Sequence, residues 1–337
     1  MGNVYTPDGA YNIETVDGVT VLVDLEKSGL QTVSLEHDQA EPTANALMAA
    51  GLNVIAEAAR SKRSKAKAKT AKAAYAKKAK SKQFVVSANA GLSGTIVDLM
   101  VLYTTKKQKA SYARHRIRYL VAVTNQAYAD SGINMSLRLI HTRSTDYVEH
   151  NSNAQALNDL AANRGAFKGT AALRNKYGAD LVMLFRPLYA RTAGSCGSTY
   201  VGFAYGGDGV PNYGYGTIGD GSSKDTLKGY YCGPNTFAHE IGHSLGNVHD
   251  RENSTFTGKF PHSYAWGIKN AFGTIMSLYS PPIMLFSNPN LTASCAGMPC
   301  GYPAGDVNSS DQATTTNYTG PIVSSYRPTT VNVPVIQ

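Results

Sequence analysis

Between residues 94 and 187 the rhythm of apolar positions changes in a regular alternation. "TIVDLMVLYTT" is a nearly continuous apolar run of strand length, as expected for a strand covered on both faces. "SYARHRIRYLVAVTNQAYADSG" then spaces Ile117, Leu120, Val121, Thr124 and Ala127 at helical intervals and stops on Ser-Gly. "INMSLRLIHT" alternates as a strand, "NAQALNDLAAN" predicts a short helix, and "ADLVMLFRP" predicts another buried strand. The glycine-rich stretch from Gly194 to Gly233 carries short strands such as "GSTYVGFAY". Beyond residue 250 the chain turns irregular and rich in Gly, Pro and Ser. Its last helix candidate is "SSDQATTTNYTGPIVSSY", weakened by Pro321, and a loose tail follows Pro328.

The first ninety residues have a different texture. Residues 1–34 alternate apolar and polar with turn signals, which predicts a few short strands. A polar stretch, "EHDQAEPTAN", leads into an Ala-rich, helix-prone run from Ala44 to Ala59. Residues 60–82 follow, with 11 Lys and Arg and no Asp or Glu. This divides the chain into residues 1–59, a Lys/Ala segment with its flank at 60–93, a large domain over 94–328, and a flexible tail at 329–337.

That basic segment changes the meaning of the net charge. The chain of 337 residues carries +9, but outside residues 60–82 it has 21 basic residues against 23 acidic ones, a net of −2. A polycation binds phosphates by releasing counterions, so the segment offers contact with nucleic acid or an anionic cell surface. It lacks interleaved aromatics and any base-reading motif, which argues against specific nucleic-acid recognition. The alternatives are a processing linker, since an exposed Lys run is easily cleaved by a trypsin-like protease, and a passive spacer. No apolar run is long enough to span a membrane, and residues 1–20 show neither the basic start nor the apolar core of a signal peptide.

The four cysteines, Cys196, Cys232, Cys295 and Cys300, lack zinc-finger spacing. Of the three pairings, the closeness of Cys295 and Cys300 favours Cys295–Cys300, which leaves Cys196–Cys232; four unpaired thiols are the alternative. Two disulfides imply an oxidising compartment.

The chemistry concentrates in "HEIGHSLGNVHD", residues 239–250. Asn235 or Thr236 can cap a helix start, and Gly246 suits the left-handed position that ends one. On such a helix His239 and His243 lie one turn apart and about 40° around the axis, on one face. Gly246 turns the chain back so that His249 can complete a three-nitrogen site, the donor set of a catalytic zinc. Glu240, beside His239, can act as general base and then acid without being a ligand. Asp250 would anchor the turn after the last ligand. At this chain's residue frequencies the pattern H-E-x-x-H-x-x-G-x-x-H should arise by chance in about one of 10⁵ such sequences.

The stretch resembles the metzincin zinc-protease signature, and the Asp after the third His is typical of reprolysin-like members. Met276, in "GTIMSLYS" 27 residues after His249, fits the methionine that lies beneath the metal in that family. "IVDLMVLYTT", "VTNQAYADSGINMSLRLI" and "HDRENSTFTGKFPHSYAWG" resemble the matching parts of secreted bacterial peptidyl-Asp metalloendopeptidases, which cleave on the amino side of Asp. The resemblance covers roughly residues 94–328. It implies an α/β (α+β) fold of metzincin type: a twisted, mostly parallel sheet, a long backing helix, an active-site helix and an irregular C-terminal subdomain. It also implies a substrate-binding edge strand near "GSTYVGFAY" and a small β-rich pro-region ahead of the catalytic domain. One departure concerns Tyr279, which stands three residues after Met276 rather than the two at which some metzincins place a carbonyl-stabilising Tyr; that role is not assigned to it.

The resulting expectation is a secreted zinc endopeptidase acting on proteins or peptides and made as a latent proenzyme, with its own pro-region as intramolecular inhibitor. The cofactor expected is one catalytic Zn2+, with no expectation for Ca2+. Residues 1–95 contain no Cys, so a cysteine switch is excluded and His37 and Asp38 are the candidate latency ligands. Arg186, Arg191 and Lys228 are candidates for recognising a substrate Asp. The alternatives are a broad-specificity metzincin protease, or a non-catalytic binding module carrying a polycationic segment.

Overall fold

The computed structural model describes residues 94–148, 151–223 and 230–336, together with the backbone of five strands between residues 2 and 40. His37, Asp38, Lys228, the helix-prone run 44–59 and the Lys/Ala segment lie outside the described residues.

Near the N-terminus, β1 (Gly2–Thr6), β2 (Gly9–Val16) and β3 (Val19–Asp24) form an antiparallel meander, with Gly2 opposite Ile13 and Tyr11 opposite Asp24. Two short strands follow, β4 (Gln31–Thr32) and β5 (Gln39–Ala40). The main body begins with β6 (Thr95–Thr104), whose residues from Val97 onward are all buried, as its unbroken apolar run requires. Helix α1 (Ala110–Asp130) buries Ile117, Leu120, Val121, Thr124, Ala127 and Tyr128, the stripe expected from its 3.6-residue spacing. It stops at Ser131 and Gly132, the glycine at φ +71°. Then come β7 (Met135–Thr145), α2 (Asn153–Ala161), α3 (Thr170–Tyr177), β8 (Leu181–Pro187), β9 (Gly197–Tyr200), β10 (Tyr215–Ser223) and β11 (Tyr230–Cys232). Helix α4 (Asn235–Ser244), the short pair β12 (Gly267–Ile268) and β13 (Phe272–Gly273), and α5 (Gln312–Val323) complete the chain.

The main sheet is mixed but mostly parallel, with β11, β10, β8, β6 and β7 in that order. β7, β6, β8 and β10 run parallel, whereas β9 and β11 lie antiparallel along the free side of β10. β4 and β5 extend the sheet outward, pairing in parallel with β11 and β9. This is the α/β architecture expected of a metzincin, with α1 backing the sheet and α4 carrying the histidines. The core runs continuously from Val97, Leu99 and Val101 through Leu120 and Val121 to Phe237, Ile241, Met276 and Phe286. At about 1.5–3 kcal/mol for each large apolar side chain buried, this packing is the main force seating α4.

Two buried ion pairs tie the layers together. Arg138 on β7 grips Asp98 on β6 at 2.6 Å and 2.9 Å. Arg116 on α1 reaches Asp220 on β10 through bonds of 2.9–3.2 Å, and that carboxylate holds the guanidinium charged despite its burial. Both expected disulfides form, Cys196–Cys232 between the start of β9 and the end of β11, and Cys295–Cys300 within one loop. Among the described residues no helix is long and apolar enough to cross a membrane.

Candidate active site

Helix α4 is buried from Thr236 to Ser244, so its charged and imidazole groups are held in the interior, away from bulk water. Its start differs from expectation. Pro234 occupies the capping position and Asn235 is already helical; no side chain caps the first turn. The ring of Pro234 has φ −62°, which suits helix entry and forfeits no needed N–H. The other end is as expected. Gly246 adopts φ +81°, its N–H donates to the His243 carbonyl at 2.9 Å, and Asn247 N–H donates to Gly242 at 3.0 Å. This pair of bonds is a Schellman stop, which only a left-handed residue permits.

The reversal delivers His249 to the other two histidines. His239, His243 and His249 are all buried, and one nitrogen of each lies within 4.8 Å of the others. Their orientation is set from behind. His239 Nδ1 lies 2.8 Å from the Ile275 carbonyl and His243 Nδ1 lies 3.0 Å from the Asn247 carbonyl. A carbonyl can only accept, so both Nδ1 atoms carry the proton and both Nε2 atoms present lone pairs. His239 Nε2 comes within 3.0 Å of His249 Nε2. Nitrogens held about 2.0–2.1 Å from one tetrahedral zinc would sit about 3.3–3.4 Å apart. A convergent set of three buried imidazoles, with the tautomers of His239 and His243 fixed from outside, therefore fits a zinc ion.

Met276 is fully buried directly beneath α4. The residue before it supplies the carbonyl that orients His239, so this turn both packs beneath α4 and aims one of the three histidines. Asp250 fastens the same turn: its carboxylate accepts from Leu278 N–H at 2.8 Å and from the Asn253 side chain at 3.2 Å. Burial pushes its pKa upward against those bonds. Glu240 is fully buried and accepts a 2.6 Å hydrogen bond from Thr199 Oγ1 on β9.

Comparison with known proteins agrees with this geometry. The reprolysin-like model of the M12B metallopeptidase family matches residues 95–310. The chain belongs to the reprolysin-like metallopeptidases. This reprolysin-like chain is 32% identical over 270 residues to a peptidyl-Asp metalloendopeptidase of Pseudomonas aeruginosa, covering 73% of itself and 43% of that relative. It is 26% identical over 234 residues to the protein of that name in Xanthomonas campestris, covering 66% of itself and 50% of that relative. The chain thus spans about half the length of these curated relatives. Among solved structures, a chaperone–substrate complex shares its fold with a TM-score of 0.55 at 17% identity, over 70% of this chain and 35% of that one.

Within this reprolysin-like site, Tyr279 donates to the Glu252 carboxylate at 2.7 Å, a partner that raises its pKa together with burial, which is the larger cause. Arg186 is fully buried on β8 and donates to the Asn151 carbonyl, so it is withdrawn from the surface, whereas Arg191 is exposed. Several residues that support the site escaped the sequence-based reading. Gln312 donates to the Val248 carbonyl at 2.8 Å, Thr319 to Leu245 at 2.7 Å, and Asn247 to Thr316 at 2.8 Å, clamping the turn between His243 and His249 onto α5. The available signal was the spacing of Gln312, Thr315, Thr316 and Thr319, a helical stripe made of polar residues and wholly buried.

Proposed function

We propose that this chain is a secreted zinc-dependent endopeptidase, made as a latent precursor, that hydrolyses peptide bonds on the amino side of Asp. The observation that carries the reading is the convergence of three buried imidazoles, two of them with the tautomer fixed by a backbone carbonyl, beside the buried carboxylate of Glu240. His239, His243 and His249 hold the metal. A zinc ion bound there supplies Lewis acidity, polarising a carbonyl and acidifying water. Glu240 takes the proton of the attacking water and delivers it to the departing amine. Met276 and Asp250 keep the floor and the turn in place, and β9 presents backbone groups for a substrate strand.

Secretion is supported by two disulfides in a chain with no free cysteine among the described residues. Latency is supported by β5, which pairs with β9 through Gln39 opposite Thr199 and Ala40 opposite Tyr200, and so lies along the strand a substrate would use. His37 and Asp38 directly precede β5 and are the candidates to reach the metal; residues 60–93 are the candidate processing linker. The Asp preference is supported by the names of the relatives, with Arg191 or Lys228 as its recognising group.

The test is metal content and hydrolysis of a peptide mixture by the full chain, before and after limited trypsin digestion. We expect one zinc per chain, activity that appears after digestion, cleavage before Asp, and loss of turnover on chelation with recovery on adding zinc. Glu240→Ala should keep the zinc and lose at least about 10³-fold in kcat. Full activity in Glu240→Ala refutes the mechanism, and unchanged latency in Asp38→Ala refutes the role given to Asp38.

A further inference from the structure

Strand β9 does more than extend the sheet. Thr199 is fully buried, and its hydroxyl donates to Glu240 Oε2 at 2.6 Å, a short bond to a carboxylate and hence a strong one. Two residues earlier, Gly197 lies so close to the same side chain that a β-carbon there would fall 2.2 Å from Oε1 and 2.3 Å from the carboxyl carbon. The carboxylate is thus gripped through one oxygen by a hydroxyl and admitted by the absence of a side chain beside the other.

The strand that does this is itself fixed. Gly216 and Ile218 of β10 pair with Thr199 and Gly197. Gly219 N–H donates to the Cys196 carbonyl at 2.7 Å, and Cys196 is bonded to Cys232. The side chain of Asn153 donates to the Ser195 carbonyl at 2.7 Å, and Thr217 Oγ1 reaches Ser198 O at 3.3 Å. A donor mounted on so constrained a strand cannot follow the carboxylate; it holds it.

We propose that Thr199 is a positioning residue for Glu240, with Gly197 as the space that makes the position available. The inference rests on the reading of Glu240 as general base. A hydroxyl bonded to one carboxylate oxygen fixes the plane of the group, so its basic lone pairs face the reacting water in one orientation. Misplacing a catalytic group by about 1 Å costs about 10²-fold in rate. Because β9 is also the strand on which a peptide would lie, one rigid element sets both the substrate register and the orientation of the base.

The experiment compares Thr199→Val, Thr199→Ser, Gly197→Ala and Glu240→Gln in the full chain, activated by limited trypsin digestion, on a quenched fluorescent peptide cleaved by the wild type. Zinc content and melting temperature are measured on each. Thr199→Val keeps the shape and strand preference of Thr and removes only the hydroxyl. It should retain zinc and lose about 10- to 100-fold in kcat with KM unchanged, the scale of a hydrogen bond to a charged group. Thr199→Ser, which restores the hydroxyl, should return kcat to within about threefold of wild type on the same scale. Wild-type kcat in Thr199→Val, or an equal loss in Thr199→Ser, overturns the proposal. Should Thr199→Val fail to fold, Gly197→Ala decides: a kcat loss with zinc retained supports the cradle, and wild-type kcat overturns it. Glu240→Gln separates the two levels. If it stays active the base assignment itself fails, whereas an inactive Glu240→Gln beside a fully active Thr199→Val sinks only the positioning role.

Discussion

Gly242→Ala should destabilise the protein, although alanine is the better helix former. The residue lies in α4 between His239 and His243, and a β-carbon there would fall 2.4 Å from Met276 Sδ and 3.2 Å from Phe286 Cε1. Ordinary carbon contacts need about 3.5–4.0 Å, so Met276 must retreat by about 1 Å and Phe286 by a few tenths of that. Met276 and Phe286 are both fully buried and have little room to do so. Overpacking of this kind costs about 1–3 kcal/mol, against about 1 kcal/mol gained in helix propensity. The expected net is a loss of about 1 kcal/mol in the wild-type background. Met276→Ala alone should cost about 2–5 kcal/mol by opening a cavity. In that background the added methyl enters vacated space, and Gly242→Ala should become stabilising by about 1 kcal/mol. The sign of one substitution therefore reverses with the other, a coupling of about 2 kcal/mol. Urea unfolding followed by far-UV circular dichroism at fixed zinc concentration measures all four corners of the cycle, since bound ligand adds to apparent stability. Stabilisation by Gly242→Ala in both backgrounds, or simple additivity, would refute the close approach of helix and methionine floor.

Two further predictions follow from the frame around the site. Replacing both Cys196 and Cys232 by Ser should cost about 4 kcal/mol from loop-closure entropy, and the Cys295 and Cys300 pair about 2 kcal/mol, because the linked residues are 36 and 5 apart; equal losses in denaturation would contradict the loop argument. Burial pushes the Asp180 carboxyl up to about 6, the hydrogen bonds it accepts from Asp98 and Arg327 opposing that rise. A folded pKa above the unfolded one adds stability that is present below about pH 4 and is lost as pH rises through about 6. Carbon-detected NMR titration should place its midpoint near 6; a midpoint near 4 would show that its hydrogen bonds outweigh burial.

The sequence by itself determined the features that local geometry controls. The i, i+4 spacing of His239 and His243 fixes a shared helix face, and Gly246 permits the one backbone conformation that turns the chain back towards them. The alternation of apolar runs likewise gave β6, α1, β7, α2 and β8, because burial on one or both faces leaves a period of two, of 3.6, or none. β10 was harder to see, since "YGTIGDGSS" is glycine-rich and draws its strand character from neighbours on both sides. What only the tertiary structure decided is which distant groups stand behind the site. The Ile275 carbonyl that aims His239 carries no residue identity, because any amino acid supplies a backbone acceptor. The polar stripe of α5 resembles a solvated face until the turn of residues 245–249 is laid against it. Thr199 and Gly197 sit about forty positions from Glu240, and only the antiparallel placement of β9 on β10 brings them over α4. Spacing along one helix is written in the chain, whereas contact between elements depends on sheet order and register, which arise from packing the whole domain at once.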